Sequence, residues 1–427
     1  MEDEVIFISE KSQVKFITSV QELTDNISRM LENGITEIGI DLESNSLYRY
    51  KHEICLLQIS IGNEIWLIDT LITKCPPAIK KLLEDPSITK IFQDMQYDLA
   101  LLHYNHGCYP KNVFDISLGD RLVRKSNNNR KLAKIANDYL HFEIDASTKS
   151  QKSNWGNRPL SEEQIQYASD DVRYLIDIYK AISPELENDY RYDCMIEYMK
   201  NYNVKDYRRK YNINSMWKIK YIEELNQDQL FRLQNLLITR NNLAKRSNRP
   251  IFWFCNDRVL RDLAKSDLDS EDQIRKFFVK EKSLNRFVQR GIKDIVKAYL
   301  NKRPVDVHLD EPEFGVSLRT WVPIEDNHNI NYHPNPTIIL VIKEWQNQII
   351  NILGILPEFL RERGEIAYYA SIPIDEWKQN IKFPGIPKYM HLMLIEDLIQ
   401  FLETQQSKIT LEVFFNTYKQ SNSNSTL

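Results

Sequence analysis

The stretch Thr36-Glu37-Ile38-Gly39-Ile40-Asp41-Leu42-Glu43 decides how this chain is read. It alternates Ile38, Ile40 and Leu42 against Glu37, Gly39, Asp41 and Glu43, the period of two expected of a β-strand with one face buried. Asp41 and Glu43 then project from the same face, one residue apart. Two carboxylates fixed side by side repel each other unless something neutralises them, and hard divalent cations do so through oxygen ligands. An isolated D-x-E is more often the polar edge of an ordinary strand, so the chemistry depends on whether distant carboxylates join this pair.

Working outward, residues 14–19 read as a short strand, and Ser19 or Thr18 caps a helix through Met30 with apolar spacing at Val20, Leu23, Ile27 and Leu31, ended by Gly34. After the carboxylate strand come two more strand-like runs, 54–61 and 64–69, joined by the hairpin signal Gly62-Asn63. A short helix at 76–83, a strand at 89–92 and a helix at 95–104 follow. Asp98 falls in the first turn of that helix, where a carboxylate suits the helix dipole. Val113-Phe114-Asp115 ends a strand, and Asp115 suits a capping role as well as a catalytic one. Further on, Ser161 and Gln164 form a capping box that predicts a helix over 162–181. Tyr167 and Asp171, four residues apart, share one face of it. Asp170 lies only about 100° around the helix from Asp171, so spacing does not choose between the two aspartates.

A length of 427 residues predicts two or three domains, and 42% apolar content is ordinary. The longest strongly apolar run, 337–342, is far short of the roughly 20 residues a membrane span needs. The acidic start Met1-Glu2-Asp3-Glu4 lacks the basic opening of a signal peptide. Cys55, Cys75, Cys108, Cys194 and Cys255 form no C-x-x-C and no even framework, which fits reduced thiols in a cytosolic or nuclear protein. Net charge is −4, yet residues 240–303 carry 17 Lys and Arg against 8 Asp and Glu. Such a block could hold phosphates or could simply be a well-solvated helical domain.

Helical pieces continue to about residue 201, followed by a basic-aromatic connector, 202–220, that includes Tyr207-Arg208-Arg209-Lys210-Tyr211. A helix over 227–243 and Lys245 breaks at Pro250, Asn256 caps the next, and more helix runs to 300. Residues 304–332 lack periodicity and read as a linker. Helical patterning resumes at 342–353, 357–363 and 388–401. The tail at 420–425 is low in complexity and is expected to be disordered.

The chain thus offers Asp41, Glu43, Asp98 and Asp171, with Tyr167 beside the last. Four carboxylates converging on one place call for cations, and two Mg²⁺ or Mn²⁺ ions roughly 3.5–4 Å apart would suit phosphodiester hydrolysis. A tyrosine of pKa about 10 is protonated near neutrality, so Tyr167 is assigned to orienting the attacking water. At these residues the sequence resembles the RNase D family of 3′→5′ exonucleases, within the DnaQ-like group with the DEDDy signature. The resemblance is carried by Ile40-Asp41-Leu42-Glu43, Cys55-Leu56-Leu57-Gln58-Ile59-Ser60, Leu67-Ile68-Asp69-Thr70, Asp85-Pro86-Ser87-Ile88-Thr89-Lys90-Ile91-Phe92, Tyr97-Asp98-Leu99, Phe114-Asp115, Trp155, Arg158-Pro159-Leu160 and Tyr167-Ala168-Ser169-Asp170-Asp171-Val172. The family's Y-x-x-x-D motif selects Asp171 over Asp170. Two departures stand out: Ser44-Asn45-Ser46 follows the D-x-E where bacterial members usually have an aromatic, and Gln93 stands near where many relatives have a histidine.

The resemblance implies an α/β, RNase H-like (DnaQ-like) mixed-sheet exonuclease domain over 1–201. It also implies an all-α HRDC domain over 221–303, similar in Arg240, Ala244, Pro250, Phe252, Leu260, Leu263, Gly291 and Ile295. After the linker, 333–418 would be a second, degenerate HRDC-like domain and 419–427 a tail. The implied activity is removal of nucleotides from RNA 3′ ends, with tRNA precursors or other structured RNAs as substrates. Asp41, Glu43, Asp98 and Asp171 would be metal ligands for two divalent ions. No organic cofactor and no membrane are expected, and the compartment is cytoplasmic, or nuclear in a eukaryote. The competing readings are a DNA 3′→5′ exonuclease serving repair and a nucleic-acid-binding scaffold whose activity has lapsed.

Overall fold

The computed structural model describes residues 12–141, 148–187, 189–202, 216, 219–301, 336–360, 366, 369–370 and 373–410. Six strands, β1 (Gln13–Ile17), β2 (Glu37–Ser44), β3 (Ile54–Ile61), β4 (Glu64–Ile68), β5 (Thr89–Phe92) and β6 (Val113–Asp115), form one sheet in the order β1-β4-β3-β2-β5-β6. β2, β3 and β4 are an antiparallel meander, while β1, β5 and β6 add in parallel. This is the mixed sheet that the family resemblance implied. β3 is buried along its whole length, as a strand covered on both faces must be. Asp69 leaves the expected end of β4 because its carboxylate caps the next helix, accepting from Leu71 N at 3.1 Å.

Helices α1 (Val20–Glu32), α2 (Thr70–Thr73), α3 (Pro77–Glu84), α4 (Gln96–His106), α5 (Ile116–Val123), α6 (Leu132–Leu140) and α7 (Thr148–Gln151) accompany the strands. Ser19, not Thr18, caps α1. The expected helix over 162–181 is two helices, α8 (Glu162–Arg173) and α9 (Leu175–Leu186), followed by α10 (Tyr190–Asn201). The capping box of Ser161 and Gln164 starts α8 as expected. The break after Arg173 lies over Gly39 of β2, where a Cβ would stand 3.0 Å from Leu175 Cβ and 3.3 Å from the Val172 carbonyl oxygen. Glycine admits that close backbone approach, and no Gly or Pro at the break announces it.

The chain divides into two compact units, one of residues 1–44, 54–207 and 324–427, the other of 45–53 and 208–323. In the second unit, α11 (Gln227–Ser247), α12 (Asp257–Lys265), α13 (Glu271–Lys280) and α14 (Arg286–Leu300) enclose Leu233, Leu237, Leu260, Leu263, Phe278 and Ile295. α11 runs on past the expected Lys245 because Asn248 caps it in the left-handed conformation with φ 47°. It starts at Gln227 as expected, and the capping box of Asn226 with Gln229 that begins it was not anticipated. Gly291 lets α14 approach α11 closely, since a Cβ there would lie 2.5 Å from Leu243 Cδ1.

The last helices, α15 (Pro336–Leu353), α16 (Pro357–Leu360), α17 (Trp377–Asn380) and α18 (Lys388–Thr404), belong to the first unit and share one hydrophobic core with the sheet domain. Tyr190 donates to the Leu353 carbonyl, Arg121 pairs with Glu358, and the rings of Tyr198 and Phe359 lie 5.4 Å apart. The connector motif 207–211, the linker 304–332, residues 361–363 of the expected helix and the tail at 420–425 lie outside the described residues.

Candidate active site

Strand alternation sends Asp41 and Glu43 from the same face of β2, and β3 fixes them by register, Asp41 opposite Gln58 and Glu43 opposite Leu56. A bulge between Glu43 and Ser44 ends the regular ladder just beyond the pair. α8 contacts β2 and brings Asp171, so that one carboxylate oxygen from each of Asp41, Glu43 and Asp171 lies within 4.8 Å of the others. Tyr167, one turn earlier, hydrogen-bonds to Asp171. Asp170 is directed elsewhere: Gln166 Nε2 donates to its two oxygens at 2.9 and 2.8 Å, and Arg173 Nε at 3.0 Å. The ambiguity that spacing left between the two aspartates is thereby decided by partners.

Asp98 comes from the first turn of α4 and is buried. It lies outside the three-carboxylate group but within reach of the charges on Asp41 and Asp171. Among the described residues, none of these four carboxylates has a Lys, Arg or His ion-pair partner. The consequence is electrostatic. Burial lifts Asp41 to about 7. Burial, then the charge of Asp41, lifts Asp171 to about 8. Glu43 and Asp98 are held well above the usual carboxylate range by burial and then by their acidic neighbours. Burial, with Asp171, Glu43 and Asp41 nearby, also raises the Tyr167 hydroxyl, which is therefore neutral at physiological pH. A crowded, uncompensated set of oxygen donors fits divalent cations, which would let all the carboxylates ionise together.

Supporting residues explain how the elements are held. Asp115, left open between capping and catalysis, caps α5 through Ser117 N at 2.8 Å and accepts from Asp94 N and Met95 N, each at 3.0 Å. It thus orders the turn that feeds α4 and Asp98, with Asp94 at φ 59°. Arg158 clamps the segment before α8. Its Nε and Nη2 donate to fully buried Asp69 at 2.6 and 2.9 Å, and Nη2 also to the Cys55 carbonyl at 2.8 Å. Trp155 is buried, its ring 6.2 Å from that of Tyr167. Gln93 points its amide to the Arg130 carbonyl at 3.3 Å, and Ser44 Oγ lies 3.0 Å from Tyr97 Oη. Neither departure removes a carboxylate. The anchoring roles of Arg158 and Asp69 were not predicted, although each stands in a motif noted in the sequence; for Asp115 the structure bears out the capping reading.

Comparison with known proteins agrees with this geometry. The family described as 3′-5′ exonuclease matches residues 14–187. Ribonuclease D of Xanthomonas oryzae pv. oryzae is 30% identical over 263 residues, covering 60% of this chain and 69% of that protein. Protein RRP6-like 2 of Arabidopsis thaliana is 24% identical over 304 residues, 67% of this chain but 33% of its own length, so the chain spans about a third of that relative. The crystal structure of Escherichia coli RNase D, described as an exoribonuclease involved in structured RNA processing, superposes with a TM-score of 0.60 at 20% identity, covering 91% of this chain and 99% of that one. At that identity the superposition speaks for the fold. Taken with the identity to the Xanthomonas enzyme and the acidic site in its mixed sheet, it leads to the conclusion that this chain belongs to the RNase D family.

Proposed function

We propose that the chain is a metal-dependent 3′→5′ exoribonuclease acting on RNA with a free 3′ end, tRNA precursors or other structured RNAs among them, in the cytoplasm. The observation that supports this most is the convergence of Asp41, Glu43 and Asp171 within 4.8 Å, with Tyr167 bonded to Asp171. Asp41, Glu43, Asp171 and Asp98 would hold two divalent ions, Mg²⁺ or Mn²⁺, which when bound supply activation of water and stabilisation of the leaving oxygen. Tyr167 keeps its proton and positions the attacking water by hydrogen bonding. β2 and α8 hold their carboxylates on rigid elements, so the site is organised before substrate arrives. RNA is preferred to DNA as substrate because two of the named relatives, the Xanthomonas and Escherichia coli proteins, are ribonucleases.

Residues 221–303 are assigned as an HRDC-type domain and 333–418 as a degenerate second copy. On α14, Arg286, Arg290, Lys293 and Lys297 are exposed and recur at helical spacing. We assign this stripe to holding phosphates of the RNA body.

A 5′-labelled RNA with a single-stranded 3′ tail, and a DNA of the same sequence, test the reading in Mg²⁺, Mn²⁺ and chelator. The wild type should give a metal-dependent ladder on RNA. Asp171→Ala should abolish it, and Tyr167→Phe, which removes one positioning hydrogen bond, should slow it about 10²- to 10³-fold while leaving metal affinity intact. Full activity in Asp171→Ala would reject the site, and shortening of DNA alone would reject the substrate.

A further inference from the structure

β3 is a run of eight buried residues, two of which carry polar side chains. Gln58 is 0% exposed and Ser60 2%. The Gln58 carboxamide has no hydrogen-bond partner for Nε2 or Oε1, and Ser60 Oγ has none either. Buried polar groups in native structures are nearly always paired, and an unpaired one calls for an explanation.

The register supplies one. Gln58 is the direct cross-strand partner of Asp41, and Ser60 of Gly39. Residues directly opposite each other in an antiparallel pair leave the sheet on one face, with Cβ atoms about 5 Å apart. The Gln58 amide therefore leaves β3 on the face that carries Asp41 and Glu43. An apolar residue of the same length would suit the run Ile54-Cys55-Leu56-Leu57 and leave nothing unsatisfied. Asp41 for its part has a hydrogen bond from the backbone N–H of Leu42 and, among the described residues, no ion-pair partner. Each of the two neighbours lacks what the other can provide.

We propose that Gln58 is a positioning residue for Asp41: with divalent cations bound, Gln58 Nε2 donates to the Asp41 carboxylate and fixes its rotation toward the metal site. The assignment rests on the metal-dependent reading of the acidic cluster. Carboxylates that ligate metals are themselves held by outer hydrogen bonds, whose loss weakens metal affinity 10- to 100-fold. A merely structural amide would have no such effect.

The test uses the full chain without nucleic acid. Gln58→Met keeps length and apolar fit and removes the amide. Mn²⁺ affinity is measured by calorimetric titration, and the thermal midpoint in chelator is measured alongside. The variant should bind Mn²⁺ about 10- to 100-fold more weakly, with a midpoint in chelator equal to or above the wild type's. An affinity within twofold of wild type overturns the assignment. Should the variant not fold, wild-type protein labelled with ¹⁵N-glutamine decides: Mg²⁺ must shift one buried side-chain amide pair and slow its exchange, and no such change overturns the proposal. If the wild type itself takes up no Mn²⁺, the metal-dependent reading falls and this assignment with it. A wild type that binds beside an unimpaired variant removes Gln58 alone.

Discussion

Replacing Arg158 by methionine should loosen α8 while touching none of the acidic residues. The guanidinium makes two bonds to Asp69, one to the Cys55 carbonyl, and two at 2.7 Å to the Trp155 and Asn157 carbonyls. Asp69 is 0% exposed and would keep only its bond from Leu71 N. Breaking a buried pair from one side costs about 3–5 kcal/mol, because an uncompensated charge stays behind. The Arg158 side chain is 24% exposed, so water reaches part of the gap and the low end, about 3 kcal/mol, is expected. At about 1.4 kcal/mol per tenfold, amide hydrogen exchange across α8 should accelerate roughly a hundredfold, provided it reports opening of this segment. Exchange mass spectrometry on peptides from 162–173 reads this directly. The double variant Arg158→Met with Asp69→Asn should exchange more slowly than Arg158→Met alone, because the orphaned charge is gone. Acceleration below about fivefold in the single variant, or additive effects in the double, would refute the reasoning.

Gly39→Ala should destabilise the sheet domain by about 1–2 kcal/mol: overpacking costs about 1–3, offset by roughly 0.5–1 from replacing a strand glycine. Ser60 Oγ, 2.4 Å from the new Cβ, can rotate, but Leu175 Cβ at 3.0 Å cannot without moving the helix. Thermal unfolding measures it, and a midpoint at or above wild type would contradict the packing. In chelator, stability should fall as pH rises. Asp41 at about 7 and Asp171 at about 8 lie above the roughly 3.9 of a free aspartate, so the folded chain binds protons that the unfolded chain has released. That contribution is complete below about pH 4 and is lost through pH 7–8. Mg²⁺ should reverse the trend, and parallel midpoints with and without Mg²⁺ from pH 5 to 8 would count against a cation site. Finally, Lys293→Ala with Lys297→Ala should lower the slope of log affinity for RNA against log salt by about 1–2. An unchanged slope would remove α14 from the binding surface.

The sheet was legible because alternation writes itself into sequence at every residue of β2, and the D-x-E pair came with it. That Tyr167 shares a helix face with an aspartate was legible for the analogous helical reason, and the Y-x-x-x-D motif of the resemblance chose Asp171. What spacing could not show was partnership. Asp170 and Asp171 differ only in which side chains lie beside them, Arg173 and Gln166 for one and Tyr167 for the other. The break at Tyr174 depends on a glycine in a strand more than a hundred residues earlier, so no local signal reveals it. The hydrophobic spacing of α15 and α18 announced that each buries a face. It did not announce that the face joins the core of the sheet domain, since periodicity names a buried side and not the surface it meets.

That shared core bears on how the protein is made. Residues up to 201 carry every proposed catalytic side chain, yet Tyr190 and Tyr198 pack against Leu353 and Phe359, which come much later in the chain. A ribosome working at about 5–20 residues per second needs between roughly 7 and 27 s to synthesise residues 202–335. During that interval the nascent sheet domain holds an unfinished apolar flank while a separate helical unit emerges behind it. A product cut short before α15 would contain the whole acidic site and still present that flank to chaperones and proteases. Quality control acting before α15 to α18 are made is therefore positioned to decide how much of the acidic site's domain persists.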